Sequence, residues 1–168
     1  CLQRAAPATL VFSSSKPPLP PIAGTPKYGM VRIPALLETT QRTLLAFGTA
    51  RRSSGGGGSD YGWNDILLRR STDEGKSWGK VQLVWGESKP ATIDNPCPIW
   101  DNQRNRTVFL FMRNGKAMFI TTSKDDGQTW SAPRNITAQA MRDPALPGNK
   151  NWRLVYTGPP GGIQMQRG

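Results

Sequence analysis

Ser71 to Trp78 reads STDEGKSW and Ser123 to Trp130 reads SKDDGQTW, one S-x-D-x-G-x-x-W pattern written twice at a spacing of 52 residues. Ser71, Asp73, Ser123 and Asp125 carry short polar side chains that hydrogen-bond nearby backbone amides, and Gly75 and Gly127 supply the positive φ that other residues resist. Trp78 and Trp130 then close each turn with a large apolar anchor. Each copy follows a strand-like run, DILLRRS at 65–71 or FITTS at 119–123, and precedes polar residues and a further run. The two copies read as staples of equivalent hairpins.

From Val31 onward short apolar runs recur between turn signals: VRIPALL (31–37), TLLAF (43–47), DILLRRS (65–71), VQLVW (81–85), CPIW (97–100), TVFLFM (107–112), KAMFITTS (116–123), WRLVY (152–156) and GIQMQ (162–166). They are of strand length, rich in β-branched and aromatic residues, and lack the 3.6-residue period of an amphipathic helix. An all-β, mostly antiparallel architecture follows. One stapled hairpin about every 50 residues is the mark of β-propeller blades, about three of them in a chain of this length. Residues 1–27, rich in Pro and Ser with KPPLPP at Lys16 to Pro21, read as an extended arm, and 28–168 as the propeller part. RRSSGGGGSD, Arg51 to Asp60, is a glycine-rich loop between two strands, and a second loop runs from about Thr137 to Asn151.

Composition agrees, since 18 Gly and 15 Pro with 36% hydrophobic residues suit many turns and few long helices. The net charge of +11 draws anionic partners. The basic residues are scattered, however, and no zinc-finger, RNP or helix-turn-helix pattern is present, so nucleic acid is not the expected partner. With no histidine and only Cys1 and Cys97, the common zinc and haem ligand sets, a Cys-His pair and a Ser-His-Asp triad are all out of reach. Asp73, Glu74, Asp125 and Asp126 lack the D-x-D-x-D spacing of a calcium loop, and residues that recur in each blade are expected to build the blade. No run reaches the length of a membrane span, and LVF at Leu10 to Phe12 is too short for a signal-peptide core. A start at Cys1 rather than Met points to processing, trimming or an incomplete sequence. Asn105 and Asn135, in N-R-T and N-I-T, are acceptors for glycosylation only on a secretory route.

The S-x-D-x-G-x-x-W pattern is the Asp-box of sialidases. VRIPALL resembles the F/Y-R-I-P motif that opens sialidase domains, and TLLAFGTAR resembles the LLAFAExR segment that follows it. DILLRRSTDEGKSW, then NPCP at Asn95 to Pro98, then GPPGGIQMQ at Gly158 to Gln166 continue in family order. This collinear set runs from Tyr28 to the C-terminus and resembles the N-terminal half of a sialidase (neuraminidase) catalytic domain. The resemblance implies a six-bladed propeller. It also implies an exo-α-sialidase that removes terminal α-linked sialic acids from glycoproteins, gangliosides and oligosaccharides with retention of configuration, without metal or organic cofactor.

Carried over residue by residue, the resemblance makes Arg32 one of three arginines that clamp the substrate carboxylate, for which a planar guanidinium is chemically apt. An exposed ion pair, the alternative for Arg32, is worth little and is an odd occupant of an apolar strand. Arg51 matches a second active-site arginine, with Arg52 the alternative if the register slips by one; Thr49 departs from the Glu often found two residues earlier. Asp60 matches the general acid/base, which protonates the leaving-group oxygen and then activates water. Composition alone would make Asp60 a turn residue, and Asp65 is the other candidate. Asp94 and Asn95 fall where the family contacts the sugar ring or its N-acyl arm, and Cys97 reads as a buried small hydrophobe. The family's nucleophilic Tyr, its Glu partner and two further arginines have no counterpart here, and Tyr28, Tyr61 and Tyr156 are not assigned to that role. The chain is therefore expected to need the missing C-terminal half and to be inactive alone. The competing reading is a non-catalytic sialoglycan-binding propeller piece that uses Arg32 and Arg51 without turnover. A secreted or lysosomal setting is favoured over the cytoplasm.

Overall fold

The computed structural model describes residues 9–13, 28–52, 59–141, 153–158 and 161–165. They form two four-stranded antiparallel sheets, each in simple sequential order. The first holds β1 (Tyr28–Glu38), β2 (Leu44–Arg52), β3 (Asn64–Ser71) and β4 (Gln82–Trp85). The second holds β5 (Ile93–Asp101), β6 (Arg106–Arg113), β7 (Ala117–Ser123) and β8 (Arg134–Asn135). A single four-residue helix, α1 (Thr137–Ala140), follows β8 among the described residues. Two successive blades of a propeller are the architecture, with β5 packed against β1, β2 and β3 of the preceding sheet.

The core lies between the blades. Leu45, Phe47, Ile66 and Leu68 of the first sheet meet Ile93, Phe109 and Phe111 of the second, all with no exposed surface. Phe47 stacks on Phe109 with ring centroids 4.6 Å apart. Trp130 sets its edge against both, at 6.0 and 5.5 Å. β2 is buried on its other face too, where Ala50 joins Tyr28 and Leu67, with Phe12 from the N-terminal arm packed against them. A central strand covered on both faces reads as a continuous apolar run, and LLAF does.

Both Asp-boxes form the same turn. Ser71 donates to Asp73 (2.7 Å) and accepts from the Gly75 amide (2.9 Å), while Asp73 accepts from the Ser77 amide (2.9 Å) and hydroxyl (2.5 Å). Ser123, Asp125, Gly127 and Thr129 repeat that network, with 2.8 Å for both Ser123 bonds and 2.9 Å for the Thr129 amide. Two consecutive left-handed residues close each turn, Glu74 and Gly75 (φ 61° and 84°) and Asp126 and Gly127 (φ 55° and 78°). The bonds from Ser77 hold the Asp73 carboxyl at a pKa of about 2. Burial, the largest single influence on Asp125, pushes its carboxyl up, but the bonds from Thr129 and Ser123 together leave it below the ordinary carboxylate range. The acids are spent on the turns, as scaffold, and no group of three or more metal-ligating side chains is found among the described residues.

Seven expected runs coincide with β1 to β7. Two do not: the described residues of WRLVY (153–156) and GIQMQ (162–165) carry no strand, and two blades are present among the described residues. Trp152, Gln166, KPPLPP and the run 53–58 lie outside the described residues. No helix among the described residues is long and apolar enough to cross a membrane.

Candidate active site

β1 and β5 carry the same irregularity. In each, the ladder skips across a proline, between Arg32 and Ala35 and between Asp94 and Cys97. The residue before that proline adopts the left-handed region, Ile33 at φ 52° and Asn95 at φ 58°. Asn tolerates this conformation, but for a β-branched Ile it is a true outlier, made harder by the following Pro ring. Such strain costs about 1–3 kcal/mol and persists where the surroundings demand it, characteristically at functional sites. Arg32-Ile33-Pro34-Ala35 and Asp94-Asn95-Pro96-Cys97 are therefore structural equivalents on neighbouring blades.

Between these bulges opens a cleft of about 240 Å³. Its wall is built by Ile33, Asp94 and Asn95 from the bulges, Met112 from β6, Asp60 and Tyr61 from the end of the β2–β3 loop, and Tyr156. Asp60 is exposed and ion-paired with Arg51, whose side chain is almost wholly buried beneath it. Asp94 is held rigidly: its Oδ1 accepts from the Thr49 hydroxyl across the blade joint (2.6 Å) and from the Asn95 amide (2.6 Å). Thr49, which stands where the family often has Glu, is thus the residue that holds the Asp94 carboxylate. Arg32, next to Ile33, is exposed and makes no ion pair among the described residues. It is not one of the residues that line the cleft, although its chain neighbour Ile33 is.

The two neighbouring arginines of β2 serve different ends. Arg52 turns to the other face, where it is bound to Asp65 through Nε (2.6 Å) and a terminal nitrogen (2.5 Å). Its guanidinium lies 4.0 Å from the Trp63 ring centre and 5.8 Å from that of Tyr28. Tyr28 donates its phenol to Asp65 at 2.7 Å. Burial raises the Asp65 pKa against the opposing pull of Tyr28 and Arg52. This tyrosine–carboxylate pair is buried away from the cleft, so neither Tyr28 nor Asp65 reaches a bound sugar. The cluster braces the loop that bears Asp60: the Arg52 amide donates to the Trp63 carbonyl (2.9 Å), and the Trp63 indole to the Glu87 carbonyl (3.1 Å). Glu87 in turn accepts two bonds from Arg113 of the second blade (2.6 and 2.9 Å).

Sequence reasoning passed over Tyr61 and Tyr156 as site residues. Their phenol oxygens meet at 3.3 Å although 95 residues separate them. The signal for Tyr61 was its place beside Asp60; nothing in the sequence paired it with Tyr156. That contact, then burial, and after them the Asp94 and Asp60 carboxylates nearby raise the Tyr156 pKa. Cys97, buried with its thiol pushed up by desolvation, is inert. A larger hollow of about 320 Å³ lies beside the first Asp-box, but it offers only Arg70 and Lys80 as charges, and the neighbouring Asp73 is already saturated by its turn.

The family model described as a BNR repeat-like domain matches residues 42–162. The "Sialidase" of Bacteroides fragilis is 32% identical over 173 residues, covering 87% of this chain and 30% of that protein. Among solved structures, the Hadza microbial sialidase Hz136 superposes with a TM-score of 0.67 at 23% identity, over 81% of this chain and 30% of that one. The Trypanosoma rangeli sialidase in complex with sialic acid gives a TM-score of 0.55 at 15% identity, over 73% of this chain and 23% of that one. The chain spans between 30% and 44% of the length of the first curated relatives it matches. Stapled blades, the paired proline bulges and the family match agree, and the chain belongs to the BNR repeat-like, sialidase family.

Proposed function

We propose that this cleft is the acid-bearing side of an exo-α-sialidase site, which acts on terminal α-linked sialic acids of glycoconjugates with retention of configuration. The observation that carries the reading is an exposed carboxylate, Asp60, anchored by buried Arg51 in a cleft that Ile33 lines, with its chain neighbour Arg32 exposed and in no ion pair among the described residues. Arg32 offers paired donors to the sugar's carboxylate, the feature that separates sialic acids from neutral sugars. Asp94 has Oδ1 occupied by Thr49 and Asn95, which leaves Oδ2 to accept from a ligand hydroxyl. Asn95 takes the ring or its N-acyl arm. Asp60 gives a proton to the departing glycosidic oxygen and, as a carboxylate, removes one from the incoming water.

Retention needs a nucleophile on the face opposite the acid. Tyr156 lines the same wall of the cleft as Asp60 and is not assigned to that role, and these 168 residues alone are expected to show negligible turnover of a fluorogenic sialoside. In the whole protein, Asp60→Asn should lower kcat by about 10²- to 10⁴-fold with little change in KM, the usual loss for a general acid. Turnover untouched by that substitution would refute the assignment. Sialoside binding without turnover in the unsubstituted whole protein would establish the binding-only reading instead.

A further inference from the structure

We infer that the hollow beside the first Asp-box is a second binding site, for a sugar that carries a sulfate or phosphate ester. It shares no lining residue with the Asp60 cleft, and the inference is independent of the sialoside reading. Arg70, Trp78, Lys80 and Gln82 line its volume of about 320 Å³, which suits one small ligand rather than an extended chain. Two of these side chains carry buried polar atoms with no hydrogen-bond partner among the described residues, the Trp78 indole nitrogen and the Gln82 amide oxygen. A donor and an acceptor left unpaired on one hollow are a cost that a bound group would remove. Arg70 gives Nε to the Asp126 carbonyl (2.6 Å), and neither its terminal nitrogens nor Lys80 enter an ion pair among the described residues.

The internal repeat shows that the turn itself does not demand these residues. At the 52-residue spacing, Arg70, Gly79 and Lys80 correspond to Thr122, Ser131 and Ala132. The backbone frame is the same, since the Gly79 amide bonds the Arg70 carbonyl at 2.8 Å and the Ser131 amide the Thr122 carbonyl at 2.9 Å. In the second blade Ser131 fills the place: its hydroxyl accepts from the Thr122 amide (3.0 Å) and meets that of Thr121 (3.2 Å). In the first blade a glycine leaves it open between two cations. Gly79 is not needed for its backbone, because its φ is not left-handed and a methyl group there would meet only the Arg70 carbonyl, at 3.4 Å. Nor does the hollow await a further blade. Leu68 and Arg70 share one face of β3, Gln82 lies opposite Leu68 on β4, and Leu68 is buried in the joint that the second blade already completes. Guanidinium, ammonium and indole supply three donors, which suit the three free oxygens of a sulfate or phosphate monoester. The Gln82 carbonyl calls for a hydroxyl, which a sugar presents beside its ester. No lining residue is acidic, so the hollow attracts an anion and offers no group to cleave it: it is a site for binding, not for turnover.

The test is an NMR titration of the isotope-labelled 168-residue chain with galactose 6-sulfate, galactose 6-phosphate, galactose and inorganic sulfate. At least one ester should produce saturable shifts of the Trp78 indole N–H and of the Arg70 and Gln82 side chains, and should bind about tenfold more tightly than galactose or inorganic sulfate. The tighter of the two esters identifies the oxyanion. Lys80→Ala, which removes an exposed cation, and Gly79→Ser, which copies the second blade, should each weaken that binding about three- to tenfold. No saturable shift with either ester, an affinity no better than that for galactose or inorganic sulfate, or binding unchanged by both substitutions overturns the site. None of these outcomes bears on the Asp60 cleft, which shares no residue with it.

Discussion

Gly75 and Gly127 occupy the same position of the two Asp-boxes, with φ of 84° and 78°, and sequence alone would assign them equal roles. Their surroundings differ. A methyl group at Gly75 would meet Leu44 at 3.5 Å and Trp78 at 3.8 Å, ordinary contact distances. At Gly127 it would meet Leu68 at 3.0 Å and Leu45 at 3.2 Å, and both leucines are fully buried in the joint between the blades. Gly75→Ala should therefore cost the left-handed conformation alone, about 1–2 kcal/mol. Gly127→Ala should add overpacking of about 1–3 kcal/mol, for roughly 2–5 kcal/mol in total. In a chain of this size each kcal/mol moves Tm by about 2–4 °C, so the second variant should melt several degrees below the first. Thermal unfolding followed by tryptophan fluorescence measures the difference. Equal destabilisation by the two substitutions, or a greater loss at Gly75, would refute the claim that the second Asp-box is wedged into the blade joint while the first is peripheral.

The Asp73 carboxyl should make stability fall in acid. Its folded pKa of about 2 lies below the ordinary aspartate value of 3.8, so its contribution is complete above the unfolded value and is lost as pH drops from about 4 towards 2. Asp125 acts in the same direction. Melting curves across that window should flatten in Asp73→Asn, and an unchanged acid limb would remove Asp73 from the explanation. Asp65→Ala leaves the Arg52 guanidinium, 6% exposed, without its carboxylate, and should cost about 3–5 kcal/mol. Tyr28→Phe, which removes one hydrogen bond from that cluster, should cost about 1 kcal/mol. Denaturant titration of the two variants gives the comparison, and similar losses would mean that the buried ion pair does not brace the Asp60 loop.

Seven of the eight strands were legible because each is a largely apolar run between turn residues, whereas β8 (Arg134–Asn135) is polar and short and gave no signal, and both Asp-boxes form the turns that their Ser, Asp and Gly spacing demands. The site was legible only in part. Arg51 and Arg52 are indistinguishable by type, and it is the pleat of β2 that sends one to Asp60 and the other to Asp65. The equivalence of Ile33 and Asn95 is hidden, since a left-handed Ile before proline violates local preference and shows itself only as a ladder irregularity. Tyr61 and Tyr156 meet through tertiary structure over a span that no periodicity encodes. WRLVY and GIQMQ have strand composition, yet their described residues pair with no strand. Among them, the Val155 and Gly162 amides bond the carbonyls of Gly115 and Pro98 instead.

The account turns on where an acidic sugar binds. Titration of the isotope-labelled chain with methyl α-N-acetylneuraminate, followed by NMR of backbone amides and arginine side chains, reads this directly. Shifts concentrated at Arg32, Arg51, Asp60 and Asn95, and lost in Arg32→Ala, are the expected result. Shifts confined to the hollow beside Arg70 and Lys80, or spread evenly over the basic surface, would contradict it.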